Sequence, residues 1–299
     1  MQIKIGTRKS KLALIQTQLI IDQINIHCPE IECLVVPMIT TGDMIKDIPL
    51  YEIGGKALFL KEIEKALLKG EIDLAVHSLK DVPGKMPLGL RIAACIKRED
   101  PRDALVSSKY RSIEELPGNA SVGTCSPRRK IFLQQIRPDL QILPMRGNMD
   151  SRWQKLMNGE FDAGILALAG LQRLKLYDEQ YCTTLSIEQM LPCVGQGVIA
   201  VEIKEHDTKM QKICDQINHQ DTWQEIIPER VFLEQIDATC KTPLAAHTTR
   251  IDQENIRVDF MLADFDGNEV AQHHEIGRIE QGAEIGLRGA ELMLAKTKY

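Results

Sequence analysis

A short signature, Gly-Glu-apolar-Asp, occurs twice in this chain, as Gly70-Glu71-Ile72-Asp73 and as Gly159-Glu160-Phe161-Asp162. Each copy separates a helix-like run from a strand-like one. Ahead of the first, KALFLKEIEKALLK (56–69) has the apolar spacing of a helix, and Gly70 can stop it because glycine tolerates a left-handed backbone. Behind it, IDLAVHS (72–78) reads as a buried strand. A second echo sets Gly6-Thr7 before Ser10 as Gly123-Thr124 stands before Ser126. The two echoes together predict two related lobes.

The rest of the pattern fills in that plan. QIKIG (2–6) alternates as a strand, a helix starts at the N-cap Ser10, and IECLVVPMI (31–39) and RIAACI (91–96) are further strands. In the second half ASVGT (120–124) leads to a helix capped by Ser126 with Pro127 in its first turn. LQILPM (140–145), a helix near 149–158, FDAGILAL (161–168) and a helix from about 169 follow. Strands alternating with helices imply largely parallel sheets. KREDPRD (97–103) reads as a crossing between lobes, and VGQGVIAVEIK (194–204) as the return. Beyond about 219 come a helix near 222–236, strands around an Asp266-Gly267 turn and a last helix through AEIGLRGAELMLAK. The expected fold class is therefore α/β, with residues 1–97 and 197–216 in domain 1, 102–193 in domain 2 and 219–299 in a small α+β domain 3.

Charge narrows the ligand. The 299 residues carry 37 Lys+Arg against 42 Asp+Glu, and a net charge of -5 argues against nucleic-acid binding, which needs a basic face. No run approaches the length of a membrane helix, and MQIKIGTRKSK lacks the apolar core of a secretory signal. The cysteines form no C-x-x-C pair, so they read as reduced thiols of a cytosolic protein with no metal site.

Within this acidic chain, Arg8, Arg128, Arg129, Arg146, Arg152 and Arg173 all fall at or near the carboxyl end of an expected strand. That end of an open α/β sheet forms the binding crevice, with helix N-termini aimed into it. Arginine grips carboxylate or phosphate through a planar fork and stays charged when buried. Thr124 and Ser126 add hydroxyls. Arg128 and Arg129 are adjacent and repel each other unless an anion lies between them, so the ligand carries several negative groups. It need not be a nucleotide: LYEIGGKA departs from the phosphate-loop pattern at Leu50 and Ala57, and Gly195-Gln196-Gly197 is too short a signal for a dinucleotide turn. In AVHSLKDVPG (75–84), Ser78, Lys80 and Asp81 also follow a strand. A carboxylate facing an arginine-lined cleft can steady a developing cation or shuttle a proton.

These stretches resemble the porphobilinogen deaminase (hydroxymethylbilane synthase) family. The resemblance runs in order through GTRKSKLALIQT, PMITTGDMI, GGKALFLKEIEKALL, DLAVHSLKDVP, REDPRDALVS, VGTCSPRRK, LPMRGNMDSR, DAGILALAGLQRL, LPCVGQGVIAVE and CKTPLAAH, from residue 6 to 247. It implies two lobes similar to those of periplasmic binding proteins, plus the third domain. It also implies a monomeric cytoplasmic transferase of tetrapyrrole (haem) biosynthesis that joins four porphobilinogen molecules head to tail, releasing ammonia each time. In this resemblance Asp81 matches the catalytic aspartate. Arg128, Arg129, Lys80, Ser78, Thr124 and Ser126 match cofactor-binding residues, and Arg8, Ser10, Arg146, Arg152 and Arg173 match substrate-binding ones. Cys240 matches the cysteine that carries a dipyrromethane cofactor through a thioether; a sulfur nucleophile suits attachment to an electron-poor pyrrole carbon. No metal, nucleic acid or membrane partner is implied. Ala238-Thr239 stand where the family usually has two glycines, Cys125 where serine is common, and Glu52 where a basic residue sometimes occurs. The competing readings are a non-catalytic two-lobed binding protein for a polycarboxylate and an inactive relative that still binds pyrroles.

Overall fold

The computed structural model describes residues 1–44, 59–238, 242–264, 267 and 269–297. In β1 (Gln2–Arg8), Ile3 and Ile5 are buried while Gln2 and Lys4 face water, the alternation of a strand with one face on a core. α1 (Lys11–His27) buries Ala13, Gln16, Thr17, Ile20, Ile21 and Ile24 at helical spacing. The first sheet also takes in β2 (Glu32–Met38), β3 (Leu74–Ser78), β4 (Leu90–Cys95) and, from much later in the chain, β10 (Ile199–Lys204), in the order β2-β1-β3-β10-β4. β1 runs parallel to both neighbours, whereas β10 lies antiparallel between β3 and β4. The four-residue α2 (Thr41–Met44) follows β2, and α3 (Lys61–Leu68) packs on the sheet through Ile63, Ala66 and Leu67.

The second sheet repeats the arrangement with other strands. β5 (Asp103–Val106), β6 (Ser121–Gly123), β7 (Gln141–Leu143), β8 (Ala163–Ala167) and β9 (Cys182–Thr184) take the order β7-β6-β8-β5-β9. Here β5 is the antiparallel strand, set between β8 and β9 as β10 is set between β3 and β4. Each lobe thus receives its antiparallel strand directly after the chain crosses from the other. α4 (Pro127–Ile136), α5 (Met149–Met157) and α6 (Leu168–Arg173) belong to this lobe.

The repeated signature performs the same task in both lobes. After α3, the Gly70 N–H donates to Leu67 at 3.1 Å and the Glu71 N–H to Ala66 at 2.9 Å; after α5, Gly159 donates to Leu156 at 3.1 Å and Glu160 to Lys155 at 3.0 Å. Gly70 and Gly159 have φ of 71° and 74°, which closes each helix with a left-handed residue. The aspartates then start the strands. The Lys4 N–H donates to the Asp73 carboxylate at 2.7 Å while the Asp73 N–H donates to the Lys4 carbonyl at 2.9 Å. Asp162 and Ser121 make the same reciprocal pair, at 2.8 and 3.0 Å.

After α7 (Thr208–Ile217) and α8 (Gln220–Ile236), the third sheet is an antiparallel meander of β11 (Leu244–Arg250), β12 (Asn255–Ala263) and β13 (Val270–Arg278), closed by α9 (Gly282–Lys296). Its core centres on Phe232 of α8 and Phe260 of β12, with ring centroids 4.8 Å apart. One buried carboxylate on α8, Glu229, ties this domain to both inter-lobe crossings. It accepts from Arg98 Nη1 at 2.6 Å, from the Gly195 N–H at 2.8 Å and from the Thr248 N–H at 2.9 Å. Burial pushes the Glu229 carboxyl up, but Arg98 and His247 outweigh it and hold it down at about 2. Among the described residues no helix is long and apolar enough to cross a membrane.

Candidate active site

At the carboxyl end of β3, Ser78 leads into a single 3-10 turn, Leu79–Asp81. Leu79 is fully buried and its N–H donates to the Val198 carbonyl at 3.0 Å, so the turn is pinned to the lobe core. Half-buried Asp81 makes no hydrogen bond or ion pair with any described residue. The next three residues are held from the third domain: Arg230 of α8 donates to the Val82 and Gly84 carbonyls, each at 3.1 Å. Gly84 permits the approach, since a Cβ there would lie 2.8 Å from the Glu234 Cα. The Asp81 loop is therefore clamped to the same helix whose end precedes Cys240.

Across the cleft, α4 begins at Ser126, whose Oγ accepts from the Arg129 N–H at 3.4 Å, and Thr124 Oγ1 accepts from the Ser126 N–H at 3.2 Å. Both hydroxyls shape the helix start. Arg128 and Arg129 are 3% and 7% exposed, so they are interior residues. Their countercharge comes from the chain itself. Asp103, at the head of β5, takes Arg128 Nη2 at 2.6 Å on one oxygen and Arg129 Nη2 at 2.7 Å on the other. Arg128 Nη1 also donates to the Leu191 carbonyl at 2.6 Å and Arg129 Nη1 to the Ile165 carbonyl at 2.9 Å. Burial favours a neutral Asp103, yet the two guanidinium groups hold its carboxyl well below the usual range. Two cations on one anion leave the cluster net positive. The buried Nε atoms of Arg128, Arg129, Arg152 and Arg173 have no hydrogen-bond partner among the described residues.

The remaining groups share one electrostatic neighbourhood. Burial pulls Arg152 down to about 10, and Arg129 and Arg8 add to that depression while Cys125 and Asp81 oppose it. Lys80 is lowered by burial and by Arg129, against Cys193, Asp81 and Asp103. Arg152 therefore stays charged at neutral pH, with Asp81 close enough to be felt. Arg8 lies 4.2 Å over the Phe59 ring. Arg173, brought down to about 10 by burial, donates to the Gly197 carbonyl at 2.7 Å and lines a small cavity with Ser78 and Lys80. Ser78 exchanges hydrogen bonds with the buried Gln16, at 2.8 and 3.0 Å. Ser10 caps α1, accepting from the Ala13 N–H at 3.3 Å, and half-buried Arg146 follows β7. Cys240 lies outside the described residues, as do Glu52 and most of the 43–57 stretch. Asp103, Gln16 and Gln196 join this neighbourhood although the sequence alone does not single them out. An acidic residue heading the apolar run DALV is the one signal available for Asp103.

Comparison with known proteins decides the family. The sequence profile described as "Porphobilinogen deaminase, dipyromethane cofactor binding domain" matches residues 3–212, and that of "Porphobilinogen deaminase, C-terminal domain" matches residues 223–295. The chain belongs to the porphobilinogen deaminase family. A curated porphobilinogen deaminase of Rickettsia canadensis is 55% identical over 296 residues, covering 99% of this chain and 98% of the relative. That of Rickettsia typhi is 56% identical over 294 residues, with 98% of each chain covered. Among solved structures, a methionine-binding protein, MetQ, aligns at a TM-score of 0.47 and 14% identity, covering 74% of this chain and 92% of that one. The periplasmic VFT2 domain of Bordetella pertussis BvgS aligns at 0.44 and 13%, covering 72% and 86%.

The family resemblance implies a dipyrromethane made of two porphobilinogen units, each with an acetate and a propionate, and the residues present suit such a group. A net-positive cluster with unpartnered, buried guanidinium nitrogens calls for further acceptors, and carboxylates are acceptors of matching charge.

Proposed function

We infer that this chain is a hydroxymethylbilane synthase, which condenses four porphobilinogen molecules head to tail with loss of one ammonia per addition. The observation that carries the reading is the meeting of Asp81, which makes no hydrogen bond or ion pair with a described residue, with the charges of Arg152, Lys80 and the Arg128–Arg129–Asp103 cluster. In this reading Arg128, Arg129, Lys80, Ser78, Thr124 and Ser126 serve a dipyrromethane attached at Cys240, and Arg8, Ser10, Arg146, Arg152 and Arg173 serve the incoming substrate. The primer supplies a nucleophilic pyrrole carbon at the growing end.

The chain's own groups would divide the work. The guanidinium groups bind acetate and propionate side chains and so fix the reacting ring. When porphobilinogen loses ammonia, positive charge spreads onto its pyrrole nitrogen, and the Asp81 carboxylate beside that nitrogen lowers the barrier. A carbon–carbon bond then forms at the former aminomethyl carbon. The ring carbon that attacked gives up its proton, which Asp81 is placed to help move. Burial of Lys80 and Arg129 strengthens each of these charge interactions relative to water. The division into domains 1, 2 and 3 belongs to this reading, as do a monomer working in the cytosol and the absence of metal, nucleic-acid and membrane partners.

Intact-mass measurement tests the attachment. The purified chain is expected to be heavier by two linked pyrrole units, and Cys240→Ser is expected to lose that increment together with activity. A fully active chain of unmodified mass would remove the cofactor from Cys240.

A further inference from the structure

Gly195-Gln196-Gly197, silent as a sequence motif, forms a contact between the two halves of the site. The flanking glycines have φ of 68° and 88°, and a Cβ at position 197 would lie 2.3 Å from the Glu99 carbonyl oxygen, so one crossing packs directly on the other. This geometry drives Gln196 inward until it is 1% exposed. Its Oε1 accepts from Lys80 Nζ at 3.4 Å and from Cys193 Sγ at 3.5 Å. Its Nε2 donates to the Pro101 carbonyl at 2.6 Å and to Asp103 Oδ1 at 2.9 Å. Those partners fix the amide's orientation: the donor end faces a carboxylate and a carbonyl, the acceptor end an ammonium and a thiol.

Few side chains satisfy both ends. A carboxylate would meet the Asp103 carboxylate, a cation would meet Lys80, and an apolar group would remove both the acceptor offered to Lys80 and the donor offered to Asp103. An amide is neutral at every working pH and offers a donor and an acceptor at opposite corners.

We propose that Gln196 is a positioning residue that ties Lys80 of the first lobe to Asp103, and through Asp103 to Arg128 and Arg129 of the second. The tie rests on the functional reading above and deepens it. Cationic groups from both walls of the cleft keep one spacing, matched to the carboxylates of primer and substrate. Without the tie, the link that sets the spacing between Lys80 and the arginine pair is lost, and binding of the acidic ligand suffers before chemistry does.

The test uses the primer-loaded protein. In an Asp81→Ala background, where turnover is slow enough for porphobilinogen binding to be measured before chemistry, adding Gln196→Leu is expected to weaken its Kd about 10- to 100-fold, the loss of charge-linked hydrogen bonds. In the otherwise native enzyme Gln196→Leu raises KM more than it lowers kcat. Gln196→Glu gives a readout that a purely structural role would not move. While protonated, the introduced carboxyl keeps an acceptor for Lys80 and a donor for Asp103, so activity approaches that of the native enzyme in acid. Activity falls as that carboxyl ionises, adding an ionisation that the native pH profile lacks. Should Gln196→Leu fail to fold, the Gln196→Glu profile decides. Equal Kd values with and without Gln196→Leu, or a Gln196→Glu profile superimposable on the native one, overturn the inference alone. A native holoprotein that neither binds nor turns over porphobilinogen overturns the functional reading and this inference with it.

Discussion

Asp81→Ala is expected to keep the chain folded and loaded with its primer while turnover of porphobilinogen falls about 100- to 10,000-fold, the range that removal of a positioned acid–base or charge-stabilising group produces. Folding is spared because Asp81 makes no hydrogen bond or ion pair with the described residues, so its removal strands no partner. The turn that carries it is fixed independently, by buried Leu79 and by the Arg230 clamp on Val82 and Gly84. Steady-state rates and intact masses of both proteins, taken side by side, check the two halves of the expectation. Near-native turnover would take Asp81 out of the chemistry, and loss of the primer mass would make its role one of attachment.

Asp103→Ala has the opposite signature. It removes the anion shared by two buried guanidinium groups, leaving Arg128 and Arg129 with one backbone carbonyl each and an unrelieved mutual repulsion. Breaking a buried ion pair from one side costs about 3–5 kcal/mol, a large part of a typical domain's stability. Urea midpoints should fall accordingly, and a loss under about 0.5 kcal/mol would mean that the arginines relax to water at no cost. The same carboxylate predicts an acid limb. Its folded pKa is depressed below the unfolded value of about 3.9, so its contribution is complete above about pH 4 and is lost as pH falls through the folded pKa. Glu229, held near 2, acts in the same sense and over the same window. The native protein should lose stability steadily below about pH 4, and Asp103→Asn should flatten part of that slope.

What can be read from the amino-acid order depends on the range of the interactions. The Gly-Glu-apolar-Asp signature is legible because its hydrogen bonds close over a helix end and the start of the next strand, and it identifies two lobes of one plan. Apolar strands such as Leu74–Ser78 and Ala163–Ala167 announce themselves by composition. β9 is three residues, Cys-Thr-Thr, too short and too polar to signal anything, and β5 is four residues whose first, Asp103, closes the stretch read as the crossing. α7 lies between the β10 and α8 signals without a distinct one of its own.

The site divides in the same way. Two adjacent arginines call for an anion, and the sequence alone assigns that anion to a ligand. On their inner side the countercharge is Asp103, 25 positions before Arg128, a pairing that only the sheet order β8-β5-β9 creates. Ser10 and Ser126 are legible as helix caps and are caps. Gln16 and Gln196 carry no signal, since the role of an amide is set by what surrounds it, and both are surrounded by residues distant in the chain.

A crystal structure of the primer-loaded protein with a porphobilinogen analogue would show where the ligand carboxylates and ring nitrogens lie. Acetate and propionate groups are expected on Arg128, Arg129, Arg152 and Lys80, with a pyrrole nitrogen against the Asp81 carboxylate. Ligand carboxylates bound away from those side chains, or Asp81 turned from the ring nitrogens, would contradict the proposed function.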